Sequence, residues 1–91
     1  MHETGLKLYA LLEKASCDYS PANFTNADLA NAKNLISMLN PMQLFDISLT
    51  FSLSQPTKHP DGKIEFAILL QGTNQHQNIF LMIKPDGSLS W

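Results

Sequence analysis

Between Thr4 and about Tyr19 the apolar residues Leu8, Leu11, Leu12, Ala15 and Tyr19 recur at helical offsets, while Lys7, Lys14 and Asp18 fall on the opposite side. At 100° per residue this is the pattern of an amphipathic helix over about 4–19. Leu6, Ala10 and Cys17 form a weaker second cluster, so the buried stripe is wide or touches a second neighbour. Ser20-Pro21-Ala22-Asn23 breaks the pattern, because the residue before a proline is pushed out of helical geometry. A second helix is predicted over about 26–39. Thr25 and Asp28 stand at capping-box spacing, with Asp in place of the commoner Glu, and Phe24 is placed to staple onto Leu29. Leu29, Ala32, Leu35, Ile36 and Leu39 line one face until Asn40-Pro41 ends the helix.

Beyond Pro41 the period changes to two. Phe45, Ile47, Leu49, Phe51 and Leu53 alternate with Asp46, Ser48, Thr50, Ser52 and Ser54, which predicts a strand over about 44–54 with one dry and one wet side. A polar loop from Gln55 to Gly62 holds the turn His59-Pro60-Asp61-Gly62. The next strand, about 63–71, puts Ile64, Phe66, Ile68 and Leu70 on one side, but its other side, Lys63, Glu65, Ala67, Leu69 and Gln71, is only partly polar. After a loop over 72–77 comes a strand at about 78–84 with the unbroken apolar run Ile79-Phe80-Leu81-Met82-Ile83, as expected of a strand covered on both faces. Pro85-Asp86-Gly87 turns the chain into a short last strand, about 88–91.

These elements imply a single α+β domain: an N-terminal helical hairpin packed on one face of a three- to four-stranded antiparallel meander in sequential order. The expected core is Phe45, Ile47, Leu49, Phe51, Leu53, Ile64, Phe66, Ile68 and Leu70 under Leu8, Leu12, Ile36 and Leu39. Two helices cover one face only. Either Ile79, Leu81 and Ile83 or Phe80 and Met82 must then point away from them. With Ala67, Leu69, Leu89 and Trp91 nearby, the expectation is an apolar patch on the uncovered face, of a kind that marks association surfaces. The first strand, with no proline from Leu44 to Gln55, also carries little to discourage strand addition at its edge. The competing arrangement folds the first helix or the Gln55 to Gly62 loop over the far face.

Composition narrows the chemistry. The 91 residues are 44% hydrophobic and 15% charged, a globular composition. Six lysines, no arginine and eight acids give a net charge of −2, with no basic face to meet phosphates, so nucleic-acid partners are disfavoured. No apolar run approaches the ~20 residues that cross a bilayer, and the first residues lack a signal-peptide pattern. A cytoplasmic protein without membrane partners is expected. The lone Cys17 cannot close an internal disulfide and has no neighbouring cation to favour its thiolate.

Candidate chemistry is sparse. His2, His59 and His76 are too far apart in sequence for a zinc pattern, and the loops holding His59 and His76 belong to opposite ends of one strand. Asp61 and Asp86 each sit in a Pro-Asp-Gly turn, where Asp serves local geometry, and Asp46, Glu65 and Lys63 read as surface pairing. Glycines at 5, 62, 72 and 87 form no phosphate loop. Asn23-Phe24-Thr25 matches a glycosylation acceptor by pattern, yet reads more simply as the helix cap. No catalytic, metal-binding or cofactor-binding residues are identified. The favoured reading is a non-enzymatic interaction module, an adaptor, regulator or stoichiometric inhibitor. It would bind another protein or a second copy of itself through Ala67, Leu69, Phe80, Met82, Leu89 and Trp91 and an adjacent sheet edge. The alternative is a small-molecule binder or minor enzyme with a pocket between helices and sheet, lined by Tyr9, Cys17 and Tyr19 with His59 or His76 at the rim; a small-molecule ligand is the less favoured partner.

Overall fold

In a computed structural model, which describes residues 3–39, 50–72 and 75–90, the chain forms two helices and then an antiparallel sheet, the α+β arrangement its periodicities predict. Helix α1 runs Glu3–Cys17 and buries Leu8, Leu12 and Ala15, the spacing of one helical face. Its C-terminal end is closed by the following turn, where the Asn23 side-chain amide donates to the carbonyls of Lys14 and Asp18, both at 2.8 Å. Helix α2 runs Asn26–Leu39 and buries Ala32 and Ile36. The reciprocal cap is formed: the Asp28 amide donates to Thr25 Oγ1 at 3.1 Å, and the Thr25 amide donates to Asp28 Oδ2 at 3.2 Å. Lys14 Nζ lies 3.0 Å from the same Asp28 oxygen and ties the two helices together.

The strands are β1 (Thr50–Leu53), β2 (Thr57–Lys58), β3 (Ile64–Gly72), β4 (Gln75–Ile83) and β5 (Leu89–Ser90), ordered β1-β3-β4-β5 with β2 also pairing β3. The meander differs from the sequence expectation in two places. Thr57–Lys58 is a strand within the Gln55 to Gly62 stretch expected as loop. It continues the line of β1 after one extra residue, because Leu53 pairs with Ile68 whereas Thr57 pairs with Glu65. That offset is a β-bulge, and it contains Pro56, at home on an edge strand where no ladder bond needs its missing N–H. The expected 72–77 loop is also far tighter, with pairing continuing to Gly72↔Gln75. Polar side chains at 75–78 do not stop a backbone whose register the apolar run already sets. Residues 44–49 of the predicted first strand lie outside the described residues.

The core joins Leu8, Leu12, Ala15, Phe24, Ala32 and Ile36 to Leu53, Ile64, Phe66, Ile68, Ile79, Leu81 and Ile83, with Phe51 and Leu39 half-buried against it. Two Pro-Asp-Gly turns lie side by side at one end of the sheet. Gly62 and Gly87 take φ of 95° and 89°, a region side chains disfavour, and a Cβ on Gly62 would meet Pro85 at 3.0 Å. Helix α1 docks on both turns. Gly5 backs directly onto Gly87, and the Tyr9 hydroxyl donates to the Gly62 carbonyl at 2.6 Å.

Candidate functional site

Alternation along β3 and β4 decides which apolar residues the helices leave uncovered. Ile79, Leu81 and Ile83 point into the core, so Phe80 and Met82 take the outer face with their cross-strand partners Ala67 and Glu65. Phe80 is 65% exposed, the most exposed large hydrophobic residue described. Ala67, directly opposite it, is nearly covered, and its amide donates to Ser54 Oγ at 2.8 Å. Leu69 and Met82 are half-buried. A shallow groove of about 340 Å³ runs here between Glu65, Phe80, Leu81, Met82 and Ser90.

The structure thus brings together Ala67, Leu69, Phe80 and Met82 but not the whole predicted set. Leu89 pairs with Ile83 and packs against the core, on the helix-covered face, because the turn register places Ser90, not Leu89, beside Met82. Trp91 lies outside the described residues. Within the described residues neither the first helix nor the Gln55 to Gly62 segment encloses Phe80.

The two edges of the sheet differ. On the β1 side the Leu53 carbonyl accepts a hydrogen bond from the Tyr19 hydroxyl at 3.1 Å, and Lys33 Nζ stands 5.9 Å from the centre of the Phe51 ring. Lys58 of β2 is bridged to Glu13 of α1 at 2.6 Å, an exposed contact that raises the lysine's pKa through the hydrogen bond to Glu13. Bulge, proline, tyrosine and ion pair together blunt the described part of this edge, residues 50–58. On the β4 side no such feature is found among the described residues. The Lys84 amide donates to the Ser88 carbonyl at 2.9 Å, so Lys84, and by alternation Met82, Phe80, Asn78 and His76, turn their backbone groups away from β3. β5 occupies the positions of Met82 and Ile83. Among the described residues, no strand faces the stretch from Gln75 to Leu81 on that side.

The residues of the alternative pocket are otherwise engaged. Tyr9 and Tyr19 give their hydroxyls to separate strand carbonyls, those of Gly62 and Leu53, and Cys17 is exposed. His59 Nε2 lies 3.2 Å from Glu65 Oε1, a partly exposed surface pair. The side chain of His76 lies outside what the structure describes. Among the described residues no group of three His, Cys, Asp or Glu gathers as a metal site, and no helix is long and apolar enough to cross a membrane. Lys7, Lys14, Lys58 and Lys63 are each paired with a carboxylate, which leaves little free positive charge for phosphates.

A second groove, of about 430 Å³, lies on the outside of the helical hairpin between Lys7, Ala10, Leu11, Asn31 and Leu35. Of the weaker Leu6, Ala10 and Cys17 cluster seen in the sequence only Ala10 lines it, while Leu11 falls on the stripe expected to face the core. Its α2 wall had no separate signal, since Leu35 also belongs to the core-facing stripe. No protein-family model matches this chain, and comparison with curated proteins and with solved structures gives no significant match.

Proposed function

We propose that the chain is a small non-enzymatic protein-interaction module that works as an adaptor, regulator or stoichiometric inhibitor through the outer face of its sheet and the edge beside it. The observation that carries this reading is Phe80, 65% exposed on a sheet face that also holds Met82 and Leu69 and borders a strand edge that no described strand covers. An aromatic ring in that setting is a typical anchor of a protein interface. Complete burial of a large apolar side chain is worth roughly 1.5–3 kcal/mol. Since Phe80 is already partly covered, closing a partner over it gains roughly 1–2 kcal/mol, about five- to thirty-fold in affinity.

The test compares the chain with its Phe80→Lys, Leu69→Lys and Met82→Lys variants. Mass is followed by light scattering over a concentration series, and partners are recovered by affinity copurification with quantitative mass spectrometry. Self-association or a defined set of partners that weakens in all three variants, with thermal stability retained, is the expected result. Association untouched by all three, or moved instead by Leu11→Lys in the helical groove, overturns the assignment to the sheet face.

A further inference from the structure

We draw no further inference here: the strongest candidate, the apolar groove on the outside of the helical hairpin between Lys7, Ala10, Leu11, Asn31 and Leu35, carries none because nothing in the structure shows what covers it.

Discussion

Replacing Gly5 by alanine sets two effects against each other. In a helix interior alanine is favoured over glycine by up to about 1 kcal/mol, and Gly5 lies in the first turn of α1, where the gain is smaller. Against this stands the contact with the second Pro-Asp-Gly turn. A Cβ on Gly5 overlaps the Gly87 carbonyl oxygen and comes within 2.7 Å of its carbonyl carbon and 3.0 Å of its Cα. Carbon atoms in good contact stand about 3.5–4.0 Å apart, so helix and turn must separate by roughly an ångström. The turn yields little, because Gly87 sits at φ 89° and its amide is held by the Lys84 carbonyl at 2.8 Å. Lifting the helix instead pulls fully buried Leu8 from the core and lengthens the 2.6 Å bond from Tyr9 to Gly62. Overpacking of this kind costs about 1–3 kcal/mol, and the rigid obstacle places it in the upper part of that range. The net expectation is a loss of about 2 kcal/mol, a fall in Tm of roughly 8–16 °C for a domain of this size. Urea unfolding followed by far-UV circular dichroism measures it, with Ala10→Gly on the exposed side of the same helix giving the scale of propensity alone. A Gly5→Ala chain as stable as the wild type would refute the docking of α1 on Gly87.

Two further outcomes follow from single contacts. Tyr9→Phe keeps the ring and removes the hydroxyl that donates to Gly62; a loss of about 1 kcal/mol in urea unfolding is expected, and an unchanged midpoint would show that the bond contributes nothing. The Asp28 carboxyl is held below its ordinary 3.8 by its hydrogen bond from Lys14 and then by the Thr25 amide, and Asp61 below the same value by the Lys63 amide. Groups with a depressed folded pKa contribute stability that is complete above the unfolded value and lost as pH falls through the folded one. Tm should therefore decline below about pH 4, less steeply in Asp28→Asn; identical acid limbs for the two chains would contradict this.

The helices were readable because each bears its own signals: Leu8, Leu12 and Ala15 at helical spacing, and Thr25 with Asp28 at the spacing of a reciprocal cap. Both Pro-Asp-Gly turns announced themselves for the same local reason, since a positive φ asks for glycine wherever it occurs. What escaped the sequence depends on residues far apart in the chain. The contact of Gly5 with Gly87 and the bond from Tyr9 to Gly62 exist only once the helix lies on the sheet, and the bulge at Pro56 only once β1 and β2 pair with β3. The outer face was legible as a surplus, because two helices cannot cover both sides of β4. Its membership was not, since the register of β5 decides that Leu89 turns inward and Ser90 stands beside Met82.

The placement of these long-range contacts separates what holds the fold together from what is left open. Helix α1 grips the turn end of the sheet through Gly5 and Tyr9 and the β1–β2 edge through Glu13, while Tyr19, just beyond it, adds a bond to Leu53. The opposite corner, from Asn78 to Phe80, has neither a helix above its outer face nor a described strand at its side. Among the described residues the proline, the bulge, the tyrosine and the ion pair all lie along β1 and β2, and no such feature is described along Asn78 to Leu81 of β4. On the proposed interaction reading, a partner bound there would engage a corner whose contacts the helices do not need.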